Sequence, residues 1–305
     1  MNVIEASGLG KRYGSTWALR ECSLAVPAGY VAAVVGPNGA GKTTLLNLAV
    51  GLATPSAGTV TVLGGEPAGS SAALEDIAFV AQDAPLYKNL PVADMVRLTS
   101  YLNRRFDHGY ARERLSELGI PLKRKAGKLS GGQQSQLALT LALARRPRML
   151  VLDEPLANLD PLARHDFMAT VMAAAAEDGM SVVLSSHVLA ELERVADYLI
   201  LISGGHVQVA GDVDDLLARH RVLTGPAAET DLIAQRLSVV HARRAQAQAH
   251  LMVRTSAPAG LAPHGWEGHP VSLEELVLAY LREPGAAALP GPARTQRAEP
   301  TEVIR

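Results

Sequence analysis

From Val3 to Leu63, short apolar runs alternate with turn signals. Ser23-Leu24-Ala25-Val26, closed by Pro27-Ala28-Gly29, reads as a strand and turn. Tyr30 to Val35 is an uninterrupted apolar stretch that predicts a strand buried on both faces. Thr44 to Val50 has helical spacing and stops at Gly51, and Thr59 to Leu63 is a further strand closed by Gly64-Gly65. Ile77 to Ala81 is a strand that ends at Gln82. From Pro85 to Arg146 the period changes to that of helices, with Val92, Met95, Val96 and Leu98 on one face and Leu115 and Leu118 on a second helix ended by Gly119. Leu137, Leu139, Leu141 and Leu143 mark another helix, and strands follow at Met149–Leu152 and Ser181–Ser185. Between those two strands, Asp160-Pro161 starts a helix with an acidic N-cap and a proline in the first turn. Tyr198–Ile202 and His206–Ala210, joined across Gly204-Gly205, predict a hairpin. This alternation predicts a parallel α/β core with an antiparallel β-layer beside it and a helical insertion.

Past Val222 the pattern weakens. Asp231–Leu237 predicts a short helix, Leu251–Val253 a short strand, and Ser272–Arg282 an amphipathic helix with a capping box at Ser272 and Glu275. The expected division is a main domain over 1–221 with its helical insertion at about 84–146, a small α+β accessory domain over 222–283, and a disordered tail over 284–305 that is rich in Pro, Ala, Gly and Arg.

Composition narrows the setting. The 305 residues are 48% hydrophobic and 19% charged with a net charge of -1, a globular balance that gives no electrostatic reason to expect nucleic acid. A single cysteine, Cys22, rules out an intrachain disulfide and a cysteine metal cluster. The first residues lack the pattern of a signal peptide, and no apolar run reaches the length of a bilayer span, so any membrane role is expected to need another chain.

Chemistry enters at Gly36-Pro37-Asn38-Gly39-Ala40-Gly41-Lys42-Thr43-Thr44, a Walker A loop set between a predicted strand and a predicted helix. Its glycines let successive backbone N–H groups converge on phosphate, and the following helix turns its positive end the same way. Lys42 is placed for the β- and γ-phosphates, and the Thr43 hydroxyl for Mg²⁺. Asp153 and Glu154 close the strand at Met149 in the manner of a Walker B segment, with Asp153 suited to Mg²⁺ and Glu154 to polarising a water. Tyr13 could stack on a base or be a tyrosine at a strand end; His187, just past a strand, could meet a γ-phosphate or be structural.

Together these segments resemble the nucleotide-binding subunit of an ATP-binding-cassette (ABC) transporter, over about Val3 to Leu217. The resemblance implies a P-loop NTPase core of ABC type, with an antiparallel β-subdomain and an inserted helical subdomain. It makes Tyr13 the adenine-stacking aromatic, Gln82 the Mg²⁺-sensing glutamine, and Leu129-Ser130-Gly131-Gly132-Gln133 the ABC signature. Ala157-Asn158-Leu159-Asp160 becomes the D-loop and His187 the switch histidine. Glu154, His187 and Lys42 are then the catalytic set, and Thr43, Gln82 and Asp153 the metal set. The Walker A residues, Tyr13, Gln82, Ser130 to Gln133 and Asp160 bind nucleotide. ATP and Mg²⁺ are the implied ligands. The implied partners are a membrane permease and a second ATPase subunit in a head-to-tail homodimer, at the cytoplasmic face of the membrane.

Two departures stand out. Gln134-Ser135-Gln136 follows the signature where many relatives carry a basic residue, and Tyr30 follows Gly29 where an acidic one is common. The Walker loop and the closing Ser272–Leu276 resemble subunits paired with ABC-2-type export permeases. The competing functions are a soluble ABC ATPase of DNA repair or translation, and an interaction protein with an inactive cassette. A single cassette without a sustained heptad array speaks against the first, and the intact Lys42, Asp153, Glu154 and His187 against the second.

Overall fold

The computed structural model describes residues 1–82, 86–157, 159–186, 188–255 and 263–288. At its centre is a six-stranded sheet built from β3 (Val31–Val35), β6 (Ile77–Val80), β7 (Met149–Leu152), β8 (Ser181–Ser186), β9 (Tyr198–Ser203) and β10 (His206–Asp212). The order is β10-β9-β3-β8-β7-β6, parallel throughout except for the edge strand β10. Every residue of β3, β7 and β8 is buried, as the unbroken apolar runs of β3 and β7 require; β8 buries three serines as well. The two faces feed different cores. Val31, Ala33, Val35, Leu150, Leu152, Val182 and Leu184 face one cluster, while Ala32, Val34, Met149, Val151 and Val183 face the other. Each such Val or Leu contributes about 1.5–3 kcal/mol by burial.

On the second face lies an antiparallel sheet of β1 (Asn2–Tyr13), β2 (Thr16–Pro27), β4 (Ala57–Val62) and β5 (Glu66–Pro67), in the order β2-β1-β4-β5. β1 and β2 are much longer than the short runs seen in the sequence, because four register shifts along their pairing interrupt the alternation. Helix α1 (Lys42–Ala49) packs against this layer through Leu45, Leu46 and Leu48, and α2 (Ser71–Asp76) precedes β6.

The insertion holds α3 (Val92–Leu102), α4 (His108–Glu117) and α5 (Gly131–Leu143) around a core of Val92, Met95, Leu115, Ile120, Leu137 and Leu141. Leu139, Ala142 and Leu143 of α5 join the main cluster instead, so α5 ties the insertion to the central sheet. The first face is completed by α6 (Pro161–Asp178), α7 (Leu189–Leu192) and α8 (Val213–Ala218).

A third sheet follows: β11 (His220–Pro226), α9 (Thr230–Arg236), β12 (Ser238–Ala245), β13 (Gln248–Arg254) and β14 (Glu267–Pro270). Its order, β12-β13-β11-β14, is that of a split βαβ sheet, antiparallel throughout. Here the structure adds three strands to the single one expected. The expected change of character at residue 222 falls inside β11, which starts two residues after α8 with no Gly or Pro between them. Trp266, Leu223 and Ile233 fill one face of this sheet, whereas Val240 and Met252 join α10 (Leu273–Arg282) in the main core. Residues 284–288, where a disordered tail with little to bury was expected to begin, form a 3-10 turn in which Ala286 is buried; residues 289–305 lie outside the described residues.

Candidate functional site

The parallel strands deliver their C-terminal ends to one edge of the sheet, where open α/β sheets place their ligands. β3 runs into the loop Gly36–Gly41, whose glycines take φ values of 157° at Gly36, 78° at Gly39 and 112° at Gly41. Two of them also lack room for a side chain. A Cβ on Gly36 would lie 2.1 Å from the Ile202 carbonyl oxygen, and one on Gly41 would lie 2.6 Å from the Ala18 carbonyl oxygen. The loop therefore curls tightly against β9 and β2 and opens directly into α1.

Lys42, only 6% exposed, folds back over the loop. Its ammonium donates to the Gly36 carbonyl at 2.9 Å and lies 3.2 Å from Glu154 Oε1. The Thr43 hydroxyl donates to Asp153 Oδ1 at 3.2 Å. Asp153 is 3% exposed at the end of β7, and its N–H donates to the Val80 carbonyl of β6. The loop from Asn38 to Thr44, with Gln82, Glu154 and Ala18, lines a cleft of about 450 Å³. Gln82 reaches it from the turn after β6. Walker A, Gln82 and Walker B, with Thr43 and Asp153 110 residues apart in sequence, thus converge on one concavity.

The donor set suits a hard cation. Thr43 Oγ1 and Asp153 Oδ1 are neighbouring oxygens, and the Gln82 side chain offers an amide oxygen at the cleft. Among the described residues no group of three or more His, Cys, Asp or Glu could hold a metal alone. Mg²⁺ needs no such group, since it keeps waters and takes phosphate oxygens.

Other expected site residues lie apart from the cleft. Ser130 caps α5: its hydroxyl accepts from Gln133 N–H and Gln133 Oε1 accepts from Ser130 N–H, both at 3.2 Å. Ser130 and Gly131 are exposed. Asp160 caps α6, its carboxylate accepting from Ala163 N–H at 3.0 Å. These two helix starts adjoin: a Cβ on Gly132 would lie 3.8 Å from both Leu159 Cδ2 and Ala163 Cβ. Neither contributes to the lining of the Walker cleft. Tyr13, 52% exposed at the tip of the β1–β2 hairpin, carries the Lys11 ammonium 5.1 Å from its ring centre. His187 and Asn158 lie outside the described residues.

Two residues of the site went unnoticed in the sequence. Ala18 lines the cleft from β2. Ser185, fully buried on β8, donates to Asp153 Oδ1 at 2.7 Å and accepts from Glu154 N–H at 2.8 Å. A serine inside an apolar strand must find a hydrogen-bond partner, and that was the available signal.

The family model described as ABC transporter matches residues 19–157, and one described as an AAA domain, putative AbiEii toxin of a type IV TA system, matches residues 122–193. The chain is 35% identical over 235 residues to the phosphonates import ATP-binding protein PhnC of Thiobacillus denitrificans, covering 72% of this chain and 91% of that one. It is 38% identical to the aliphatic sulfonates import ATP-binding protein SsuB 2 of Pseudomonas fluorescens, covering 76% and 85%. The probable multidrug ABC transporter ATP-binding protein YbhF of Escherichia coli is 36% identical over 66% of this chain and 36% of its own length. Among solved structures, a dimeric post-hydrolysis ATP-binding cassette bound to ADP and Pi aligns with a TM-score of 0.61 at 26% identity, over 69% of this chain and 98% of that one.

Proposed function

The chain belongs to the ABC transporter family, and from that premise we propose that it is the ATP-binding and ATP-hydrolysing subunit of a transporter that exports its cargo through a separate membrane permease. The observation that carries the ATPase reading is the single cleft that joins the Walker loop, Gln82 and Glu154 above the buried Asp153. Backbone N–H groups of residues 39–44 bind the phosphates, and Lys42 exchanges Glu154 for the β- and γ-oxygens. Thr43, Asp153 and Gln82 would hold Mg²⁺, which when bound would supply positive charge against the phosphates. Glu154 accepts the proton of a water as its oxygen bonds to the γ-phosphorus. The bond to the β-phosphate oxygen breaks, and ADP leaves with the electron pair.

Ser130 to Gln133 and Asp160 take no part in lining the Walker cleft of their own chain. This supports a head-to-tail homodimer in which each signature closes on the partner's ATP, with Tyr13 beneath the adenine. In the dimeric cassette relative, the bound products are ADP and Pi.

A groove of about 660 Å³ between the central sheet and the helical insertion supports the permease contact. It presents Leu52, Leu74, Phe79 and Leu102 with Arg105 and Arg145. Phe79 lines this groove and Gln82, three residues on, lines the phosphate cleft. The short segment from Phe79 at the end of β6 to Gln82 can therefore carry nucleotide state to a docked permease helix. No described helix is long and apolar enough to cross a membrane, and the permease supplies the path. In this reading the subunit sits at the cytoplasmic face of the membrane. The closing Ser272–Leu276 segment and the multidrug relative favour an ABC-2-type exporter. The second reading is import, favoured by the phosphonate and sulfonate relatives. Co-purification of the full chain with a multi-helix membrane protein, then ATP-driven transport in proteoliposomes, tests both. Cargo expelled from the compartment that holds ATP supports export; cargo gathered into it overturns export. Wild-type ATPase with no membrane partner overturns the transporter reading.

A further inference from the structure

We propose that Ser185 is a positioning residue for ATP hydrolysis: its hydroxyl sets the backbone of the general base Glu154 and the carboxylate of Asp153 at once. The inference rests on the ATPase reading above and assigns a role to a residue that no Walker, signature or switch segment contains.

The β7–β8 ladder ends at the pair Leu152 and Leu184. Beyond it the chain leaves β7, and Glu154 takes φ of 47°, a left-handed conformation that a non-glycine residue adopts only when its surroundings hold it there. What holds it is the next residue of the neighbouring strand. The Glu154 N–H donates to Ser185 Oγ at 2.8 Å, so a side chain takes over where the backbone ladder stops. The same hydroxyl donates its proton to Asp153 Oδ1 at 2.7 Å. One hydroxyl has one proton to give, so these two bonds fix its orientation: it accepts from Glu154 and donates to Asp153. Ser185 is itself rigid. It is fully buried, and β8 is clamped between β7 and β3, where Ser185 pairs with Val34.

The consequences differ for the two acids. For Glu154, the turn aims its carboxylate into the cleft, where Oε1 meets Lys42 at 3.2 Å. A loosened turn moves the base away from the water it must polarise, and a misplacement near 1 Å is enough to slow chemistry severely. For Asp153, Oδ1 accepts from both Ser185 and Thr43, which turns the carboxylate plane toward the threonine hydroxyl. Losing Ser185 frees that plane to rotate and weakens the cation site. The phosphate-binding backbone of the Walker loop touches neither bond, so nucleotide affinity should survive.

The experiment compares the full-length wild type with Ser185→Ala, Ser185→Cys and Ser185→Thr. The readouts are ATP turnover, equilibrium ATP binding, the Mg²⁺ concentration at half-maximal rate, and thermal midpoint. Ala and Cys should lower kcat by about 10- to 100-fold and raise the Mg²⁺ requirement, while the ATP Kd moves by less than about threefold. Thr, which keeps a hydroxyl, should restore a substantial part of kcat. The proposal is overturned if Ser185→Ala turns over within about twofold of wild type at the same Mg²⁺ requirement. It is also overturned if Ala and Cys lose ATP binding, thermal midpoint and kcat in parallel, which would mark a packing role alone. Wild-type chain that binds ATP and never hydrolyses it would sink the ATPase reading first, and this inference with it.

Discussion

Gly36→Ala should abolish the phosphate site without unfolding the protein. The added methyl would stand 2.1 Å from the Ile202 carbonyl oxygen and 3.2 Å from the Ala40 methyl, at a φ of 157°. Ile202 lies on β9, beside the pairing of Val35 with Leu201, so the carbonyl cannot retreat without breaking the central ladder. The loop must therefore move by roughly 1 Å, which displaces N–H donors that have to meet phosphate oxygens together and costs on the order of 10²-fold in turnover. Gly119→Ala supplies the control. Its φ of 60° is also positive, but nothing lies within 4 Å of the new methyl. That variant should lose only the roughly 1–2 kcal/mol of left-handed strain and keep wild-type turnover. Phosphate release from ATP and thermal melts on both variants make the comparison. Gly36→Ala with wild-type ATP affinity and turnover would refute the loop geometry. An equal loss in Gly119→Ala would show that the effect is instability.

Lys42→Ala should lower single-turnover ATP hydrolysis by at least about 100-fold, because in the proposed site it removes the cation that meets the β- and γ-phosphates. Lys42→Arg should fail to rescue it, since Lys42 is 6% exposed and folded onto the Gly36 carbonyl; wild-type rates in either variant count against the assignment. A different region answers to pH. Burial holds the His220 pKa below its usual value, with Nδ1 at 2.6 Å from the Leu216 carbonyl and Nε2 at 2.9 Å from the Tyr280 hydroxyl. A depressed histidine pKa means that the unfolded chain binds the extra proton. Its contribution is complete above pH of about 6.5 and is lost as pH falls from there toward the folded value. The melting temperature of wild type should therefore drop more steeply below pH of about 6.5 than that of His220→Gln, and coincident slopes would refute it.

The sequence made the central sheet legible because its strands are buried on both faces. Tyr30–Val35 and Met149–Leu152 announced themselves as apolar runs, and β3 and β7 lie there. The Walker segments were equally plain, since their chemistry fixes spacing within one stretch of chain. The accessory sheet was not. β12 alternates weakly and ends in exposed Arg243 and Arg244, and β14 is exposed throughout, so neither shows the periodicity of a half-buried strand. Ser185 was missed for a different reason. Its partners Asp153 and Glu154 are more than thirty residues away, and only the adjacency of β7 and β8 brings them together. Likewise, no local pattern could tell that the signature of one chain stands apart from its own Walker cleft.

If two copies of this chain share their ATP sites, as proposed, the full-length Glu154→Gln variant will show it as a nucleotide-dependent pairing. The substitution keeps the side chain's shape and removes the carboxylate that takes the water's proton, so ATP should bind, persist and hold the closed pair together. The pairing to follow is between a cysteine placed at Ser130 on one copy and one placed at Asn38, beside Gly39, on the other. It is measured in the assembled transporter with and without ATP and Mg²⁺, with the single native cysteine, Cys22, buried. ATP and Mg²⁺ should strongly increase this cross-link in Glu154→Gln, and ADP should not. A cross-link yield unchanged by ATP would contradict the shared sites.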